Sequence, residues 1–137
     1  MKNHFRISVI ITITLLFLAC NEENPNENIG SSPNISIGQT GSDTLAIAIT
    51  ASNSTTANQT TAVTFTKDTV IVSYSVTAYG GGEASITFNN DTMESKTFHL
   101  NNNQAVAQEP LLFKPSSVSV NIKSGYTGVI AMAALGK

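Results

Sequence analysis

The chain has one cysteine, Cys20, no tryptophan, two histidines and four prolines, and its charged residues make up only 12% of the total, about half the usual share. One cysteine excludes an intramolecular disulfide framework and a site built from several thiolates. Two imidazoles, His4 and His99, are too few for a histidine-based metal centre. Lysines and arginine are scattered without a cluster, which argues against nucleic acid and anionic headgroups as partners, since both are held by grouped basic side chains. The one long apolar stretch, Ile7 to Leu18, is broken by Ser8, Thr12 and Thr14. It falls short of the roughly 20 apolar residues of a transmembrane helix.

What is present at the start has a different logic. Met1 to Arg6 is short and basic, the apolar run follows, and polar Asn21, Glu22, Glu23 and Asn24 come after it, which is the layout of an export signal. Phe17-Leu18-Ala19-Cys20 resembles the lipobox of bacterial lipoproteins. Ala19 and Cys20 fit that pattern, and Phe17 stands where Leu is usual. The resemblance covers the first twenty residues and implies a signal peptide over residues 1–19, with Cys20 as the acylated N-terminus of the mature protein, carrying palmitate-type chains. Each buried methylene contributes about 0.8 kcal/mol, so two or three chains hold a protein on a bilayer where one would not. No free thiol then remains, and loss of Lys2 and Arg6 from the 7 basic residues leaves 5 against 9 acidic ones. The Asn21–Asn24 cluster is similar to the acidic patch that sends some Gram-negative lipoproteins to the cell surface, and it reads equally as the start of a solvated linker. The expected location is the bacterial outer membrane, lipid-anchored, facing either the periplasm or the exterior.

Residues 20–42 are rich in Asn, Glu, Pro, Gly and Ser and are expected to form a flexible tether, with one domain over 43–137. From Thr44 onward, apolar residues recur with period two. Leu45, Ile47 and Ile49 alternate, as do Val70, Val72, Tyr74, Val76 and Ala78, then Ala84, Ile86 and Phe88, then Val118, Val120 and Ile122. Phe98 and Leu100 follow an Asn-Asn-Asp turn. Gly80-Gly81-Gly82-Glu83 predicts a hairpin turn between the second and third of these strands. Val129 to Leu135 is apolar on both faces and reads as a buried central strand. No helix longer than a turn is expected after Cys20. The fold class is therefore all-β, a small antiparallel β-sandwich of seven to nine strands, Ig-like or jelly-roll-like.

Catalytic chemistry finds little material. His99 lies between Phe98 and Leu100 and should face solvent, with no nucleophile and acid converging on it, so no enzyme activity, metal or cofactor is expected. Asn89, Asn90, Asp91 and Glu94 offer oxygen ligands, but turn chemistry accounts for them without an ion. All three aspartates precede Thr and an apolar residue, which resembles the Asp-Thr-apolar acceptor motif of bacterial general O-glycosylation and marks Thr44, Thr69 and Thr92. Strand-start chemistry explains the same triplets. Tyr79 and Tyr126, both near glycines in expected turns, are candidate stacking platforms for a sugar; alternatively Tyr79 ends a strand and Tyr126 plugs a sandwich corner. Ser52 to Thr61 reads as an exposed loop suited to a protein partner, and Ala131, Ala133 and Ala134 as small residues that either pack tightly or line a cavity for an apolar ligand. The expectation is a lipid-anchored, noncatalytic envelope module with a binding or structural role toward a protein partner, a carbohydrate-binding module being the alternative and an apolar-ligand carrier a third.

Overall fold

The computed structural model describes residues 30–137. The expected signal over residues 1–19, Cys20 and the first part of the expected tether lie outside them. Within the described residues there are nine strands: β1 (Asn34–Gln39), β2 (Thr44–Ala51), β3 (Ala57–Ala62), β4 (Val70–Gly81), β5 (Ala84–Asn89), β6 (Ser95–His99), β7 (Gln104–Leu111), β8 (Ser117–Ile122) and β9 (Thr127–Gly136). They form two antiparallel sheets, one in the order β1-β2-β9-β4-β7 and one in the order β3-β8-β5-β6. Strand β2 pairs with β9, β3 with β8, β4 with β7 and β5 with β6. The chain from β2 to β9 is thus one long hairpin with β5 and β6 at its tip, rolled so that successive pairs fall in alternate sheets. That connectivity is a jelly roll, with β1 added outside β2. Of the two sandwich forms expected from the sequence, the structure has this one.

The period-two pattern puts one face of each sheet inside. Leu45, Ile47 and Ile49 of β2, Val70, Val72 and Val76 of β4, Ile86 and Phe88 of β5, and Val118, Val120 and Ile122 of β8 are all buried. Phe98 bridges the layers, edge-on to Tyr74 at 5.2 Å and to Phe88 at 6.0 Å. Strand β9, flanked by β2 and β4, is the central strand expected of Val129 to Leu135. Ala134 faces the core, whereas alternation turns Ala131 and Ala133 to the outside of the sheet, where neighbouring strands cover them. Ala131 and Ala133 therefore line no interior cavity.

Four local expectations need correction. Gly80 to Glu83 is no hairpin turn: β4 and β5 lie in different sheets, so this segment is a corner that carries the chain across the sandwich. Ala78 is not on the inner face, because its φ of 53° breaks the alternation where β4 slips against β9 between Thr77 and Gly81. The expected tether ends earlier than residue 42, since β1 pairs in register with β2 from Asn34↔Thr50 to Gln39↔Leu45. Its Ile35 and Ile37 supply the half-buried face that a mostly polar segment seemed to lack. Finally, the stretch Ser52–Thr61 is only partly a loop, because β3 takes Ala57–Ala62 into register with β8.

The four connections that cross between sheets at one end all meet Tyr126. Its ring is wholly buried and its hydroxyl donates to the Leu100 carbonyl at 3.1 Å, at the end of β6. Its carbonyl accepts from the Ser54 amide at 2.9 Å, in the β2–β3 connection. Gly82, in the β4–β5 corner, has φ +83°, and a Cβ there would sit 2.5 Å from the Tyr126 Cα. At the opposite end the aspartates do the tying. Asp43 Oδ1 accepts from the Thr66 amide at 2.8 Å and its Oδ2 from the Thr66 hydroxyl at 2.6 Å, fixing the β3–β4 connection, while Ser116 donates to Asp91 at 2.7 Å.

Replacing Gly82 by Ala combines a left-handed φ with a backbone clash, and an expected loss of about 2 kcal/mol or more follows. Tyr126→Phe leaves the buried Leu100 carbonyl without its donor and should cost about 1–2 kcal/mol, and Tyr126→Ala about 3–5 kcal/mol. Urea denaturation of the three variants checks the order; a Gly82→Ala protein as stable as the native one would refute the corner geometry.

Candidate functional site

Two features of the surface stand out: a polar depression beside the Tyr126 end, and a difference between the two open sides of the sandwich. The depression has a volume of about 230 Å³ and lies on the outside of the β3-β8-β5-β6 sheet, lined by Glu83, Ala84, Ser85, His99, Asn101, Asn121 and Lys123. Its floor follows from strand register. Asn121 of β8, Ser85 of β5 and His99 of β6 are direct neighbours across three strands, and each points away from the core because Ala84, Ile86, Phe98 and Ile122 point into it. Its rim comes from the crossing connections: Glu83 and Lys123 form an ion pair, and Asn101 uses its side-chain carbonyl to accept from the Ala84 amide at 2.9 Å.

The expected site residues are placed as follows. Tyr126 is buried to the last atom, so it offers no ring face to a sugar; it is the corner plug. Tyr79 packs against it at 6.0 Å and donates its hydroxyl to the Gly82 carbonyl at 3.0 Å. Burial thus removes Tyr126 as a stacking platform, while Tyr79 stays half-buried. His99 is exposed, as the neighbouring apolar residues required. Thr44 and Thr92 are exposed and Thr69 is half-buried. The preceding aspartates each have a structural task, in that Asp43 holds Thr66, Asp68 lies 3.3 Å from the Lys114 ammonium, and Asp91 receives Ser116. The sequence reading missed the depression because register across three strands, which no local pattern displays, assembles it.

The edges differ in kind. On one side, β6 and β7 carry Lys96, His99, Glu109 and Pro110, and β7 bulges against β4 between Tyr74 and Val76. Glu109 accepts from Lys96 at 2.8 Å and from the Tyr74 hydroxyl at 3.0 Å, which closes that side. On the other side, β1 (NISIGQ) and β3 (ANQTTA) contain no charge and no proline, and their registers run without a break. A double hydrogen bond between the Gln39 side chain and the Thr64 backbone links the two strands' ends.

Charge follows these contacts. The Thr66 hydroxyl and amide hold the Asp43 carboxyl below its ordinary 3.8, the Lys123 ammonium holds Glu83 below 4.5, and Lys96 with Tyr74 does the same for Glu109. Burial pushes Tyr126 from 10.0 up to about 12. A depressed carboxyl stabilises the fold above its unfolded value and loses that contribution as pH falls through the folded one; a raised phenol stabilises below pH 10.0 and loses its share between 10.0 and about 12. Melting temperature should therefore be level near neutrality and fall below about pH 4.5 and above about pH 10. Thermal melts across pH check this, with Asp43→Asn softening the acid limb and Tyr126→Phe the alkaline one; variants that keep the full native limbs would contradict the assignment.

No protein-family model matches the chain, and no curated protein matches it. Among solved structures, one from work on Bacillus endospore appendages, described as a family of disulfide-linked pili, aligns over 84% of this chain and 98% of its own, with 18% identity and a TM-score of 0.43. The likeness is slight.

Proposed function

We propose that the protein is a lipid-anchored, noncatalytic module of the bacterial envelope whose role is to bind or assemble with a protein partner. The observation that supports this best is the unguarded side of the sandwich formed by β1 and β3. Natural sheets blunt their edges with charge, proline, bulges or a cover, because an open edge is a row of unpaired amides and carbonyls that invites another strand. The β6 and β7 side uses three of these devices. Among the described residues the β1 and β3 side uses none of them, so it suits strand addition by a partner, with backbone hydrogen bonds supplying affinity and the alternate side chains supplying selectivity. The carboxylates of the described residues add support: Asp43, Asp68, Glu83, Asp91, Glu94 and Glu109 each contact another side chain or the backbone.

The anchor is read from Phe17 to Cys20, and the chain from Cys20 to residue 29 separates it from the described domain. Replacing Cys20 by Ser should move the protein from the membrane fraction to the soluble one in its native host; tight membrane association of that variant would overturn the lipoprotein reading. For the edges, the full chain should enrich a specific partner from an envelope extract, and Ser36→Lys with Gln59→Lys should reduce that capture at least tenfold. Equal capture by native and variant protein, or none by either, counts against strand addition at this side.

A further inference from the structure

The depression on the β3-β8-β5-β6 sheet is not used by the strand-addition reading: its lining comes from β5, β6, β8 and the connections beside them, and none of it from β1 or β3. We infer that it is a binding site for a neutral, polyhydroxylated ligand, a sugar residue. This goes beyond the proposed envelope role and depends on neither the anchor nor the edges.

The chemistry of the lining selects the ligand class. The outer face of this sheet is ranked by register. One rank, Thr60, Ser119, Thr87 and Thr97, satisfies itself, with hydroxyl pairs at 3.0 Å between Thr60 and Ser119 and at 2.9 Å between Thr87 and Thr97. The next rank, Asn121, Ser85 and His99, has no such pairing among the described residues, and its polar groups open onto the depression. The Asn amide and the Ser hydroxyl each both donate and accept, and the imidazole adds two ring nitrogens. A sugar hydroxyl also donates and accepts, so an array of mixed groups matches it better than it matches a simple ion. Formal charge points the same way, because the Lys123 ammonium is paired with Glu83 and a bound anion would meet that carboxylate. A divalent cation finds one carboxylate and one imidazole there, short of a coordination shell.

Size and rigidity limit the ligand further. A depression of about 230 Å³ is smaller than the pockets of drug-sized molecules, which start near 300 Å³, and suits one sugar unit with its neighbours left in solvent. The floor is carried by three paired strands and the rim by connections tied at Tyr126, so the backbone positions that present these polar groups are fixed before a ligand arrives. Neither Tyr79 nor Tyr126 lines the depression, which makes this a hydrogen-bonding site without a stacking platform, and affinity for a single unit should be weak.

The test is an NMR titration of the full chain, purified in detergent, with glucose, galactose, mannose, N-acetylglucosamine and short oligomers of each, and with inorganic phosphate and acetate as anionic probes. Saturable shifts at Ser85, His99, Asn101 and Asn121 are expected with at least one neutral sugar. Asn121→Ala should weaken that binding at least tenfold, while Ser36→Ala on the other sheet and the Ser36→Lys with Gln59→Lys edge variant leave it unchanged. The inference is overturned by the absence of saturable shifts with every neutral sugar, by shifts with phosphate or acetate alone, or by an Asn121→Ala protein that binds as the native one does. Loss of partner capture in the edge variant with sugar binding retained would separate the two roles.

Discussion

Everything at one end of this domain depends on the burial of a single phenol. From β2 to β9 this jelly roll passes its chain from sheet to sheet at every connection but the tip hairpin β5–β6, and at this end four of the crossings converge: β2 to β3, β4 to β5, β6 to β7 and β8 to β9. Tyr126 lies in the last of them and touches the other three, through the Ser54 amide, the Gly82 backbone and the Leu100 carbonyl. Burying the ring removes a large apolar surface from water, and the hydroxyl's hydrogen bond to Leu100 offsets the cost of taking a polar atom with it. The glycines around it are consequences. Gly82 is needed because the tyrosine backbone occupies the space of a side chain, and at Gly128 a Cβ would lie 2.9 Å from the tyrosine's own hydroxyl oxygen.

The far end combines the buried Val63 and Phe65 of the β3–β4 connection with polar contacts. Asp43 fixes the β3–β4 connection and Asp91 meets Ser116, so two of the three Asp-Thr pairs owe their aspartate to loop closure. In acid the Asp43 tie at the far end and the Glu83–Lys123 pair beside Tyr126 are both weakened, whereas ionisation of the phenol in base affects the Tyr126 end alone. Between the ends, the Tyr74–Phe98–Phe88 contact and the Lys96–Glu109 pair lock the β6 and β7 side, leaving β1 and β3 as the side without charged protection.

Much of this was legible in the residues, and the limits of legibility have physical causes. Strands β2, β4, β5, β8 and β9 could be read because each presents an alternating or continuous apolar pattern, which burial on one face or both dictates. Strands β1, β3 and β7 could not, since edge strands bury little, and sequences such as ANQTTA and QAVAQEPL carry almost no periodic signal. The glycine triplet was misread for a related reason: a tight turn and a sheet-crossing corner both need positive φ, and only the pairing of β5 with β8 tells them apart. Tyr126 satisfied two local readings at once, and the space left around Gly82 and Gly128 decides between them.

The depression was invisible for a different reason. Its floor joins residues 85, 99 and 121, which are distant in the chain and ordinary one by one. They become neighbours because the rolled hairpin stacks β8, β5 and β6 in one sheet, and among the described residues their side chains do not pair with one another as the hydroxyls of the next rank do. The rim residues Glu83, Asn101 and Lys123 sit on three of the crossings that Tyr126 ties together. Loops usually trade order for variability. Here the same buried ring that closes the fold also ties together the crossings that carry the rim of the polar depression, so the corner's structural role and the placing of the rim have one origin.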